Sequence, residues 1–223
     1  MICLVTDRRR LSPDGGASAR GLIDLVRAAA SAGIDIIQIR ELDLAARELA
    51  ALVTACVAVA RGTPARIVVN DRADVAIAAG AHGVHLRGDS MSPVHARRLL
   101  PEGAAVGRSV HSPDQAHAVA REGGVDYLIF GTLFPTESKP SHARIATLDE
   151  LTAASRAARA FGIPLLAIGG ITVDNARQAA VAGAAGVAGI GLFVPPANVA
   201  VHQHVAGVAA ALRRTFDTCG AVP

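Results

Sequence analysis

The chain reads as an α/β protein folded into a single (β/α)8 (TIM) barrel spanning residues 1–223. Three observations predict this. Eight short Val/Ile/Leu runs alternate with Ala-rich amphipathic segments from one end to the other, the pattern of a parallel sheet covered by helices. Glycines close most of the helical segments just before the next apolar run. Polar residues or glycines stand at the C-terminal end of every run, whereas the opposite ends carry little beyond Gly, Asp and Pro. No stretch rich in Pro, Ser or charge divides the repeat into two domains, and a doubly wound open sheet is the alternative topology.

The predicted strands are Ile2–Thr6, Asp35–Arg40, Arg66–Val69, Gly83–Leu86, Ala105–Arg108, Tyr127–Phe130, Leu165–Ile168 and Val187–Ile190. Each is nearly continuous in apolar residues, as a strand buried on both faces requires. Between them, helices are expected near Arg20–Ala32, Leu44–Arg61, Ala73–Ala79, Pro93–Leu99, Pro113–Arg121, Leu148–Phe161, Val173–Ala182 and Ala197–Phe216. Ser92-Pro93 and Ser112-Pro113 place a capping hydroxyl before a proline at the first helical position, and Thr147 with Glu150 forms a capping box. Gly33, Gly62, Gly80, Gly123, Gly162 and Gly183 supply the helix stops.

Composition excludes several classes. Hydrophobic residues make up 51% of the chain but aromatics only 3%, which favours small-residue helices on strands over a sandwich built on rings. The net charge of +3 comes from scattered arginines; Arg8–Arg10 is the only basic triplet and no interleaved aromatics accompany it, so nucleic acid is not an expected partner. No apolar stretch reaches membrane-spanning length, and the N-terminus has no export signal, so no membrane partner is expected. Cys3, Cys56 and Cys219 share no metal-ligand spacing and support no disulfide framework, in keeping with a reduced cytoplasmic setting. A homodimer is an open expectation.

In such a barrel chemistry sits at the C-terminal strand ends. The loop after the sixth strand carries Thr132, Thr136, Ser138 and Lys139, the last being the only lysine in the chain, a compact point charge suited to phosphate. Gly169-Gly170-Ile171-Thr172 after strand seven and Gly189-Ile190-Gly191 after strand eight resemble a backbone phosphate cradle, with Gly170, Ile190 and Gly191 as its amides. Gln38 and Arg40 share one face of strand two, where an arginine can hold a carboxylate or pyrophosphate bidentately or else pair with Glu41. Ser109 and His111 lie at the end of strand five, His111 as an acid/base candidate, while His82, His85, His95 and His117 are assigned structural roles. Asn70 lines the polar wall, and Asn70-Asp71 can cap the next helix. Asp71 can also hold Mg²⁺ if a second carboxylate joins it, for which Asp89 is the one evident source.

Six segments together resemble the thiamine phosphate synthase superfamily over nearly the whole chain: Ile2–Asp7, Ile37–Glu41, Val69–Arg72, Gly83–Leu86, Asp126–Lys139 and Ala167–Ile171. The resemblance implies a barrel acting on a thiazole phosphate in thiamine biosynthesis. Two departures from the synthase pattern stand out: Leu42 replaces its lysine, and Arg87-Gly-Asp-Ser90 replaces a segment that supplies a second magnesium carboxylate. Gly107-Arg-Ser-Val-His-Ser112 is similar to the thiazole tautomerase branch, which puts His111 in the role of proton carrier. The expectation is therefore an isomerase that aromatises a carboxythiazole phosphate. His111 would shuttle the proton, Arg40 would orient the carboxylate, and no metal would be needed. The alternative is the synthase, which couples a hydroxymethylpyrimidine pyrophosphate to thiazole phosphate with Mg²⁺. A non-catalytic regulator that binds a thiamine precursor is the third reading.

Overall fold

The computed structural model describes residues 1–11, 18–136 and 144–219. Eight strands and eight helices alternate among them: β1 (Ile2–Val5), α1 (Ala19–Ser31), β2 (Ile36–Ile39), α2 (Ala46–Ala60), β3 (Arg66–Asn70), α3 (Ala73–Ala78), β4 (Gly83–Leu86), α4 (Pro93–Leu99), β5 (Ala105–Val110), α5 (Pro113–Glu122), β6 (Tyr127–Gly131), α6 (Leu148–Arg159), β7 (Leu165–Ile168), α7 (Ala176–Val181), β8 (Gly186–Gly189) and α8 (Val201–Cys219). Every strand pairs in parallel with the next, and β8 returns to β1 through Cys3 opposite Ala188, which closes the barrel. The open-sheet alternative is thereby excluded. Among the described residues no helix is long and apolar enough to cross a membrane.

Strand residues alternate between two cores. Outward side chains such as Leu4, Ile37, Val69 and Leu128 join the helix faces in the larger one. Inward side chains, Cys3, Val5, Ile36, Val68, Ala105, Tyr127, Ile129, Leu166 and Ala188, fill the barrel itself. The alternation sets what reaches the mouth. One residue pair above Ile36 stands Gln38, above Val68 stands Asn70, and above Ala105 and Gly107 stands Ser109.

Side-chain caps fix where helices begin. Ser18, Ser92, Ser112 and Thr147 accept bonds from the backbone N–H groups of Gly21, His95, Gln115 and Glu150. At α6 the box is reciprocal, since Glu150 also accepts from Thr147 N–H at 2.9 Å. At α5 the reciprocal arm reaches one residue further back: Gln115 Oε1 accepts from His111 N–H at 2.8 Å, which ties the end of β5 to the helix that follows.

Several boundaries differ from the sequence expectation, most by one or two residues, with larger shifts at the starts of α7 and α8. β5 continues to Val110, so Ser109 is a strand residue and His111 follows the strand directly. α7 is regular only from Ala176, after a turn that Thr172 and Asn175 cap reciprocally: Thr172 N–H donates to Asn175 Oδ1 at 2.8 Å, Asn175 N–H to Thr172 Oγ1 at 3.2 Å, and Ala176 N–H to Thr172 O at 3.0 Å. α8 begins at Val201, after a turn in which Val199 N–H donates to Pro196 O at 3.0 Å. The cysteines are free, and burial pushes the Cys56 thiol up to about 12.

Candidate active site

The C-terminal strand ends surround one cavity of about 800 Å³. Its wall brings together Gln38, Arg40, Asn70, Ser109, His111, Thr132, Thr136, Gly170, Ile190 and Gly191. Ser138 and Lys139, also expected there, lie outside the described residues. His111 and the glycine seat thus border the same space.

Gln38 Nε2 donates to Asn70 Oδ1 at 2.9 Å, so two buried amides on neighbouring strands form a fixed polar wall. Glu41 is not the partner of Arg40. It accepts instead from Thr6 Oγ1 at 2.7 Å and pairs with Arg8 at 3.0 Å, while Arg8 also pairs with Asp43 at 2.7 Å. Among the described residues Arg40 has no ion pair, and its guanidinium lines the cavity. The Asp43 carboxylate, with Glu41, holds the Arg8 guanidinium firmly charged. Arg8 is thereby a structural tie between the first two strand ends and no part of a basic patch.

His111 Nδ1 lies 2.7 Å from the carbonyl oxygen of Gly131, which makes Nδ1 the protonated nitrogen in the neutral ring. Arg144 Nη1 donates to the His111 carbonyl at 3.1 Å and its guanidinium also pairs with Glu150. The ends of β5, β6 and α6 are therefore bound together around this histidine.

The glycine seat owes its shape to backbone that only glycine adopts easily. Gly169 and Gly170 have φ of 100° and 61°, and a Cβ on either would run into Thr132 or the Phe134–Pro135 backbone. Asn175 Nδ2 donates to Gly170 O at 2.9 Å, so the clasp ahead of α7 also holds the seat. Across it, a Cβ on Gly191 would stand 3.4 Å from Arg10 Nη1, which brings a guanidinium to the seat that the sequence reading had left in a plain basic triplet.

Asp71 does not cap α3. The residue at that cap is Arg72, with no side-chain bond, and Asp71 sits at φ 61°, a left-handed conformation that a non-glycine residue adopts at a cost. Its Oδ2 lies 3.1 Å from Arg87 Nε, and Asp89 Oδ1 lies 3.3 Å from the same nitrogen. The two carboxylates converge on a single cation, here the guanidinium. Asp89 reaches this place because Arg108 gathers the preceding loop: it donates to Met91 O at 2.6 Å, Gly88 O at 2.9 Å and Ser90 O at 3.4 Å.

This arrangement bears on the Mg²⁺ that the synthase resemblance implies. Among the described residues Asp71 Oδ1 is buried and has no hydrogen-bond partner, an acceptor oxygen left over for a cation. Among the described residues no three acidic, His or Cys side chains form a metal cluster. Two carboxylates nonetheless suit Mg²⁺, which completes its shell with water and substrate phosphate oxygens. The residues present therefore fit the ion, provided that Arg87 yields its place. The Arg87→Ala variant is accordingly expected to bind Mn²⁺, as a probe of the site, about fivefold more tightly in isothermal titration, the worth of an exposed ion pair. Unchanged affinity would show that Asp71 and Asp89 do not share the cation.

A closed parallel barrel with a polar, glycine-lined mouth at its C-terminal strand ends defines a protein of the (β/α)8 class. Within that class the family is shown directly. Residues 2–193 match the family model described as thiamine monophosphate synthase, and the chain belongs to that family. A relative from Geobacter sulfurreducens described as a putative thiamine-phosphate synthase is 38% identical over 86% of this chain and 85% of its own length. The thiamine-phosphate synthase of Roseiflexus castenholzii is 40% identical over 87% and 81%. Among solved structures, the thiamine phosphate pyrophosphorylase of Pyrococcus furiosus superposes with a TM-score of 0.77 at 31% identity, covering 98% of this chain and 96% of that one. The 3-hexulose-6-phosphate synthase of Salmonella typhimurium, at 14% identity and a TM-score of 0.69, shares the fold.

These relatives overturn the expected thiazole tautomerase. That reading rested on the six residues Gly107–Ser112 and on the apparent loss of a metal carboxylate, whereas relatives 36–41% identical over most of the chain carry the synthase name. The physical reason is visible in the loop after β4. Asp89, the one evident source of a second acid in the sequence, is held in the loop that Arg108 folds, so that it and Asp71 lie against the same nitrogen of Arg87.

Proposed function

We propose that the protein is a thiamine-phosphate synthase, a transferase that joins a hydroxymethylpyrimidine pyrophosphate to a thiazole phosphate. In this reaction the thiazole nitrogen forms a C–N bond to the pyrimidine methylene carbon, the C–O bond to pyrophosphate breaks, and pyrophosphate leaves with the electron pair. The observation that carries the reading is the convergence of Asp71 and Asp89 at the rim of a cavity that also holds a glycine anion seat. The relatives' names support the same assignment.

In this reading the amides of Gly170, Ile190 and Gly191 hold the phosphate of the thiazole, with Arg10 beside them. Gln38 and Asn70 bind the polar edge of the pyrimidine, their mutual bond leaving the outer faces of both amides free to pair. Arg40, Thr132 and Thr136 face the leaving pyrophosphate, and Ser138 and Lys139 belong to the same loop. Asp71 and Asp89 would hold Mg²⁺, which when bound neutralises charge on the pyrophosphate and makes it a better leaving group. No proton transfer is required of His111; tied to Gly131 O, its ring forms part of the wall.

Incubating the protein with both precursors and Mg²⁺ is expected to yield thiamine phosphate and one equivalent of pyrophosphate, followed by chromatography and a coupled pyrophosphate assay. Absence of both products at saturating substrates would overturn the assignment.

A further inference from the structure

Beneath Ser109 lies a buried chain of three side chains. His85 Nε2 is 2.9 Å from Ser109 Oγ, and His85 Nδ1 is 3.2 Å from the Tyr127 hydroxyl. His85 is 2% exposed and Tyr127 1%. Burial, with Arg108 nearby, pushes the imidazole down to about 3, and burial raises the phenol well above its usual range. Both therefore stay neutral across the working range of a protein. A neutral imidazole has one N–H and one lone pair, so the chain can run in only one of two directions.

The surroundings of Tyr127 decide which. Its ring sits among Cys3, Val68, Ala105 and Leu166 inside the barrel, and among the described residues His85 is the hydrogen-bond partner of its hydroxyl. If His85 donated through Nδ1, the Tyr127 O–H would be buried with no acceptor, a loss comparable with the bond gained. With Tyr127 as donor every group is satisfied: Nδ1 accepts, Nε2–H donates to Ser109 Oγ, and the Ser109 hydrogen is turned away from His85 into the cavity. The site is shaped for this contact. A Cβ on Gly107 would overlap the Tyr127 phenol and His85 Nδ1, so a residue without a side chain stands where phenol and imidazole meet.

We propose that Tyr127 and His85 are positioning residues that lock Ser109 as a hydrogen-bond donor toward the cavity, so that the bound substrate must present an acceptor atom there. This rests on the synthase reading for the identity of the substrate, whose pyrimidine ring nitrogens and pyrophosphate oxygens are acceptors. The direction of the chain does not depend on that reading.

Two measurements test the proposal separately. In the protein without substrate, ¹⁵N spectra of the histidine rings are expected to show His85 as the Nε2–H tautomer between pH 5 and 9, with the assignment made by its loss in His85→Gln. An Nδ1–H tautomer would overturn the proposal whatever the enzyme catalyses. In the coupling assay, Tyr127→Phe and Ser109→Ala are each expected to lower kcat/KM for the pyrimidine substrate about tenfold, with KM for the thiazole phosphate unchanged and no further loss in the double variant. Losses that multiply in the double variant would mean that Tyr127 acts on folding alone and would also overturn it. If no coupling occurs while the Nε2–H tautomer is found, the synthase reading fails and the proposed chain stands.

Discussion

Asp71→Asn is expected to lower thiamine phosphate formation by about 100-fold, with the apparent Mg²⁺ requirement rising in parallel. The variant is unusually clean. Asparagine tolerates the left-handed conformation at φ 61° as well as aspartate does, so the turn after β3 should keep its shape. The amide is isosteric with the carboxylate, and what is lost is one negative charge next to Arg87 and an acceptor oxygen that has no partner among the described residues. Removing a charged ligand from an oxygen-ligand site costs at least what a lost supporting group costs, about 10- to 100-fold. Steady-state rates over a Mg²⁺ titration, with thermal melting to confirm the fold, make the measurement. A rate within twofold of the unaltered protein would remove Asp71 from the metal site.

The second large effect concerns acid. The unfolded chain protonates His85 near its ordinary 6.5, but the folded chain does so only at about 3. Between these values the unfolded state holds one more proton, so folding stability falls as pH falls, by about 1.4 kcal/mol per pH unit for this group. From pH 6 to pH 4 the loss attributable to His85 is therefore about 2–3 kcal/mol. The depressed carboxyls of Asp43, Asp74 and Glu150, each held down by an arginine or backbone bond, lose stability in the same direction. Comparison with His85→Gln isolates the imidazole: urea midpoints at the two pH values should move closer together in the variant by that amount. Equal shifts in both proteins would show that His85 titrates normally in the fold.

Much of this architecture is legible in the chain because parallel strands buried on both faces write themselves as apolar runs. Gln38, Arg40, Asn70 and Ser109 were placed by counting along those runs, and the cavity does contain them. What could not be read is whatever depends on contacts between loops. Asp89 is evident in the sequence as a candidate second acid, but whether it reaches the same cation as Asp71 depends on three carbonyls that fold around Arg108, a residue on the neighbouring strand. His85 reads as a core histidine until Gly107 and Tyr127 are brought beside it from β5 and β6. Arg10 and Arg87 are evident in the sequence, but their roles are not, for a simpler reason: an arginine in a loop carries no signal of where its flexible stem will lead. The helix starts were legible where a hydroxyl preceded a proline or an acid. α7 becomes regular later than its residues suggest because Thr172 and Asn175 cap a turn that precedes the helix proper.

The same pair of side chains has a bearing on how an anion is received. Bonds from Asn175 to the Thr172 amide and the Gly170 carbonyl leave the turn after β7 little to rearrange when a phosphate comes. Its rotational freedom was given up during folding, so the ligand need not impose that order itself, and more of each hydrogen bond it makes is expressed as affinity.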